Sequence, residues 1–170
     1  MESEQTVAAE TIEEEEEPET PGEFAREFLL DVLDAMEMES DVEIEETPDG
    51  SWNLTIVGSD AGEIIGRYGN TLNALQYLTV LVTQKYTGEH VRVTLDAEGY
   101  RAKREAALVE QALALAAEVA QAGQEAELDP LSAFERRIIH NALQNHPDVI
   151  TYSEGMESDR RVVIAPKPKR

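Results

Sequence analysis

The sequence predicts an α+β protein of two small domains: a three-stranded sheet packed on three helices, then a smaller α+β unit reached through a long helix. Three observations predict it. Between Phe24 and Leu95 apolar residues recur every three to four positions in some stretches and every second position in others, which separates helices from strands. Gly66 and Gly69 bracket a pair of residues between two helical runs. An alanine-rich run over residues 98–122 stops at Gly123, and strand and helix patterns begin again after it.

Phe24, Phe28, Leu29, Val32, Leu33 and Met36 give the first helix one apolar face. Val42 and Ile44 alternate with Glu43 and Glu45, and Trp52, Leu54 and Ile56 alternate with Asn53 and Thr55. Thr47-Pro48-Asp49-Gly50 between these runs turns them into a β-hairpin. Asp60, with Glu63 three residues on, opens a short helix carrying Ile64 and Ile65. After the glycines, Leu72, Leu75, Leu78 and Val82 mark the buried face of a longer helix that runs to about Tyr86 and ends at Thr87-Gly88. Val91, Val93 and Leu95 alternate with Arg92 and Thr94 as the third strand. Helix, strand, strand, helix, Gly-x-x-Gly, helix, strand is the order of a type II K-homology (KH) domain, set here at residues 22–97. Such a module clamps the backbone of single-stranded nucleic acid with its glycine loop.

Residues 98–122 form the linking helix, with Leu108, Ala112, Leu115 and Val119 on one side and Tyr100, Arg101, Lys103 and Arg104 in the first turns. It packs between domains, or its basic cluster extends a binding surface. A second domain spans residues 123–165. Glu125 to Leu128 read as a short strand, and Asp129-Pro130 as the cap and first residue of a helix. Leu131, Phe134, Ile138 and Ala142 supply that helix with an apolar stripe. Pro147 closes it, and Val149 to Tyr152 and Arg161 to Ile164 read as two strands joined through Gly155. Residues 166–170 are a basic tail.

Composition narrows the chemistry. The chain has 170 residues and a formal charge of -22, which argues against a polyanion partner until its distribution is considered. Residues 1–58 hold 20 acidic and 1 basic side chain, net -19, whereas residues 59–170 hold 16 acidic and 13 basic, net -3. Residues 1–21, with Glu13 to Glu17 and two prolines, read as a disordered acidic tail that either solubilises the protein or competes with nucleic acid for its basic patches. Cysteine is absent, so disulfides and thiolate chemistry are excluded, and the three histidines are scattered, so no metal site is expected. The absence of a long apolar run or a basic, apolar leader points to a soluble cytoplasmic protein without membrane insertion. Gly58-Ser59-Asp60-Ala61-Gly62 misses the nucleophile-elbow spacing by one position, and no Lys-Ser/Thr pair follows the glycines. No catalytic residue and no cofactor are expected.

Two groups of residues carry binding chemistry. Gly66 and Gly69 lack a Cβ and admit a foreign backbone, and the amides of Tyr68, Gly69 and Asn70 open a helix whose positive end favours an anion. Arg67 adds a charge, Tyr68 a ring for base stacking, and Ile65 with Ile64 the wall of an apolar groove. Arg136 and His140 lie four apart and project side by side, with Arg137 flanking them. They are either ordinary surface residues or a phosphate grip, arginine holding the anion and histidine donating to it or stacking on a base. Arg160 and Arg161 on the next strand join them if the sheet brings them alongside.

With Gly66-Arg67-Tyr68-Gly69 leading into Asn70-Thr71-Leu72-Asn73-Ala74-Leu75, with Glu135-Arg136-Arg137-Ile138-Ile139-His140, and with Thr151-Tyr152-Ser153-Glu154-Gly155 before Arg160-Arg161-Val162-Val163-Ile164, the chain resembles the bacterial Jag family. These are also called KhpB or SpoIIIJ-associated proteins and join a KH domain to an R-three-H domain, named for Arg-x-x-x-His. The resemblance runs from about Phe24 to Ile164 and includes Glu98-Gly99-Tyr100-Arg101. It implies a cytoplasmic, non-enzymatic binder of single-stranded RNA (or single-stranded DNA), an RNA chaperone or post-transcriptional regulator with roles in cell shape and envelope control. It also implies pairing with a smaller KH-only protein or a second copy. Relatives often carry a folded N-terminal domain where this chain has an acidic stretch, and a basic residue where it has Tyr68. A protein-interaction scaffold with incidental RNA affinity is the competing reading.

Overall fold

The structure, a computed structural model, describes residues 20–168 and divides into two units after Glu98. The expected acidic tail lies outside the described residues except for Thr20 and Pro21, and these two begin a helix.

In the first unit, helix α1 (Pro21–Ala35) starts on a capping box in which the Thr20 hydroxyl accepts from the Glu23 amide and the Glu23 carboxylate accepts from the Thr20 amide. Its buried face is Gly22, Ala25, Leu29 and Leu33, turned away from the expected Phe24, Val32 and Met36. Gly22 is there because a Cβ would stand 2.1 Å from Trp52 Cε3, so the helix seats directly on the indole. Phe24 stacks on Tyr86 at 3.9 Å between ring centroids.

Strands β1 (Ser40–Glu46) and β2 (Trp52–Gly58) form the expected hairpin. At the turn, the Thr47 and Ser51 hydroxyls donate to the Asp49 carboxylate and hold its pKa down to about 2. Strand β3 (Val93–Ala97) starts two residues later than the alternation suggests and pairs parallel to β2, giving the order β1-β2-β3. At the β1 edge, Arg26 Nε donates to the Val42 carbonyl at 2.6 Å and the Asp41 carboxylate accepts from the Val42 amide, which blocks pairing with another strand at that residue.

Helix α2 (Ala61–Ile65) begins after Asp60, but the expected side-chain cap is absent. The Asp60 carboxylate instead accepts the Glu39 amide at 2.7 Å and ties the helix start to the chain entering β1. Helix α3 (Asn70–Thr87) buries Leu72, Leu75, Thr79 and Thr83, not the expected Leu78 and Val82. The Thr79 hydroxyl donates to the Leu75 carbonyl inside the helix, so the threonine packs its methyl inward without an unpaired polar group. Leu78 is left half exposed, in a row with Tyr77, Leu81 and Tyr86.

In the second unit, helix α4 (Tyr100–Ala122) supplies the core with Leu108, Ala112, Ala116 and Val119, so the segment read as a linker belongs to this unit. Strands β4 (Ala126–Glu127), β5 (Val149–Glu154) and β6 (Arg161–Pro166) form an antiparallel sheet in the order β4-β6-β5. Helix α5 (Ala133–Leu143) starts later than Asp129-Pro130 suggests. The Leu128 and Leu131 amides donate to the Val162 and Arg160 carbonyls, which keeps residues 128–131 extended beside β6. Ser132 is the cap, in a second capping box with Glu135. That displacement rotates the stripe: Ile139 and Leu143 are buried, and Phe134 is 65% exposed.

Candidate nucleic-acid interface

The glycine turn is a short 3-10 segment, Arg67–Gly69, wedged between α2 and α3. Gly66 adopts φ 69° and ψ -178°, and a Cβ there would stand 2.1 Å from Thr71 Oγ1. Gly69, at φ 76°, is buried and caps α3. Glycine is therefore required here by the turn's own geometry. Between them Tyr68 takes a left-handed φ of 55°, uncommon for a side chain of that size, and this lifts its ring into solvent at 53% exposure. The Arg67 guanidinium lies 5.3 Å from the Tyr68 ring centroid, a cation–π pair. The turn thus presents a planar cation and an aromatic ring as one surface.

Two expectations for this turn are corrected. The Gly69 amide donates to the Gly66 carbonyl at 3.3 Å and the Asn70 amide to Arg67, so these two groups are taken up by the 3-10 turn before any anion arrives. Ile64 is 1% exposed and belongs to the core, so only Ile65, half buried, borders the surface. Asn70 is exposed at the first position of α3.

Arg136 and His140 stand on α5, and His140 faces β5. The His140 ring is clamped: Nδ1 lies 2.7 Å from the Thr151 hydroxyl and Nε2 lies 2.9 Å from the Ser153 hydroxyl. Burial, and then the charge of Arg136, push the His140 pKa below its ordinary value, so the neutral ring is favoured. A neutral imidazole has one donor and one acceptor, so one hydroxyl donates to the ring and the other accepts from it. Both ring nitrogens are thus engaged within the unit, by hydroxyls of β5. Arg136 Nε donates to the Leu131 carbonyl at 3.3 Å, which fixes the stem of its side chain against the loop before α5.

Arg137 and Arg160 are exposed, and the backbone of Arg160 is joined to Leu131. Arg161 goes elsewhere. Ser153 and Val162 are register partners on the face that meets α5, so the next residue, Arg161, emerges on the opposite face. There its guanidinium pairs with Glu127 at 3.1 Å. The expected union of Arg161 with Arg136 and His140 does not form.

Sequence reasoning missed Thr151 and Ser153. The signal was present: Val149, Thr151 and Ser153 alternate on one face of a strand, and two hydroxyls on a packed face need partners on the helix above. Among the described residues no group of His, Asp or Glu could hold a metal ion. No helix of the described residues is long and apolar enough to cross a membrane.

A family model for the KhpA/KhpB KH domain matches residues 23–95, and a model for the R-three-H domain matches residues 106–166. A protein of Clostridium symbiosum described as RNA-binding protein KhpB is 41% identical over 150 residues, covering 88% of this chain and 68% of its own length. One of the same description from Bacillus subtilis (strain 168) is 36% identical over 149 residues, 86% of this chain and 71% of the relative. A third, from Lactiplantibacillus plantarum, is 42% identical over 104 residues, 61% of this chain and 32% of the relative. The glycine turn lies within the first matched segment and the Arg136–His140 helix within the second, and with relatives aligned over most of its length the chain belongs to the KhpB family, carrying a KH domain followed by an R-three-H domain.

Proposed function

We propose that the protein binds single-stranded RNA without chemical change, as a cytoplasmic RNA chaperone or post-transcriptional regulator. The observation that carries this reading is the Arg67–Tyr68 pair, a cation and a ring held together and exposed on a turn whose flanking glycines keep it tight. Arginine supplies charge to a phosphate and tyrosine a face to a base, the two contacts that sequence-tolerant single-strand binding requires. The name of the KhpB relatives agrees with it. A second contact on the R-three-H unit raises overall affinity through effective concentration.

Changing Arg67 and Tyr68 together to Asp tests this reading. RNA affinity measured by fluorescence anisotropy falls at least tenfold while the melting curve stays near that of the parent, because both side chains are exposed. Affinity for RNA in the parent declines with salt by about 0.7 log units per log unit of salt for each neutralised phosphate. Unchanged affinity in the folded double variant removes the turn from the binding surface.

A second reading, compatible with the first, concerns a protein partner. Tyr77, Leu78, Leu81 and Tyr86 leave an apolar row exposed on α3, more than solvent-facing helices usually carry. We propose that this row takes a smaller KH-only protein or a second copy of the chain. Leu78→Glu with Leu81→Glu abolishes that association in sedimentation experiments and leaves the fold intact; an unaffected complex places the interface elsewhere.

A further inference from the structure

The outward side of α5 differs from the rest of this acidic molecule. Phe134, Arg137, Asn141 and Gln144 follow one another at three- and four-residue spacing, and all are exposed. They lie opposite Ile139 and Leu143, which face the core. The row runs about 15 Å along the helix. It presents an aromatic ring, a planar cation and two amides, and it contains no carboxylate in a chain of formal charge -22. The single acidic residue of α5, Glu135, is turned aside and neutralised. One of its oxygens accepts from the Ser132 amide and hydroxyl, and the other accepts from Arg104 at 2.8 and 2.9 Å.

We propose that this row is a second single-strand RNA contact, in which Phe134 stacks a base, Arg137 neutralises a backbone phosphate, and Asn141 and Gln144 meet base edges. The inference rests on the RNA-binding reading above and moves the R-three-H contact from the His140 side of α5 to its outer side. His140, clamped by Thr151 and Ser153, is then a positioning residue that fixes α5 against β5. A protein partner is the poorer occupant. Protein interfaces gather several apolar side chains, as the α3 row does, whereas Phe134 is the one large exposed apolar residue on α5. A lone ring flanked by a cation and amides fits a nucleobase, whose faces stack and whose edges hydrogen-bond.

The test uses the full chain and a mixed-sequence single-stranded RNA carrying iodouridine. Phe134→Ala weakens binding roughly 5- to 100-fold, the usual effect of losing one stacked base. Phe134→Trp restores it, Phe134→Leu does not, and photocrosslinking places the adduct on Phe134. Arg137→Ala flattens the salt dependence by about 0.7 log units per log unit of salt. All four variants are at exposed positions, and circular dichroism checks that each is folded. If Phe134→Ala binds RNA like the parent while the Arg67/Tyr68 double variant fails, the inference is overturned and the RNA reading stands. Full activity in Phe134→Leu overturns it too, since a mere apolar contact would then suffice, and so does loss of a protein complex with RNA affinity intact. A parent chain with no RNA affinity removes both.

Discussion

His140 is held by two hydroxyls and has its charge suppressed by burial and by Arg136, and this has a pH consequence. In the unfolded chain the ring takes up a proton near its ordinary pKa of about 6.5, whereas the folded ring resists until lower pH. Between those two values the unfolded state binds more protons, so stability rises with pH across that window. The contribution is complete above about pH 6.5 and is lost as pH falls through that value towards the folded pKa. Thermal melts across pH 5 to 7, roughly the range in which histidine titrates, show a decline on acidification that His140→Gln flattens. An identical decline in that variant assigns the effect to another group. Tyr68 makes the complementary point about a single residue: its side chain reaches solvent through a backbone conformation that costs energy, about 1 kcal/mol or more for a left-handed non-glycine residue. Replacing it by Asn or Gly tests the turn's chemistry without straining its geometry.

At the scale of elements, two helices start on capping boxes, and each box marks where its helix begins. Ser132 sets α5, and its partner Glu135 also pairs with Arg104, so the cap fastens α5 to α4. Ser132→Ala lowers stability by about 1 kcal/mol, the usual worth of a cap, read as a drop in the denaturation midpoint with an unchanged slope. Glu135→Ala costs more, because it removes the cap's return bond and leaves Arg104, 23% exposed, without that carboxylate. The sequence places the start at Asp129-Pro130, and the shift to Ser132 comes with two backbone bonds to β6 that no local pattern contains. The same displacement put Phe134 outside. In α3 the difference has another source: Thr79 and Thr83 take the buried places expected of Leu78 and Val82, and threonine turns a methyl inward once its hydroxyl finds a carbonyl of its own helix, as Thr79 does.

For the whole molecule, charge is the organising quantity. Residues 1–19 contain nine acidic side chains and no basic one, and removing them takes the formal charge from -22 to -13. Deleting that segment tightens RNA binding, most at low salt, where repulsion between it and the polyanion is least screened. The deletion stops at Glu19, because Thr20 caps α1 and its loss would confuse a charge effect with a stability effect. Equal or weaker binding by the truncated chain at low salt excludes self-competition.

Element order, the hairpin, the glycine turn and the Arg136–His140 spacing were all readable from residue order alone, because helical and strand periods, turn residues and glycine's lack of a Cβ act over a few neighbouring positions. Three matters were settled only by the tertiary structure: which faces α3 and α5 bury, where α5 begins, and the separation of Arg161 from His140. For α5 and Arg161 the partners lie 11 or more residues away: Thr151 beside His140, Glu127 beside Arg161 and Arg160 beside Leu131. A hydrogen bond closed across that distance in sequence leaves no periodic trace in either segment, so only folding reveals which face such a helix turns to its core.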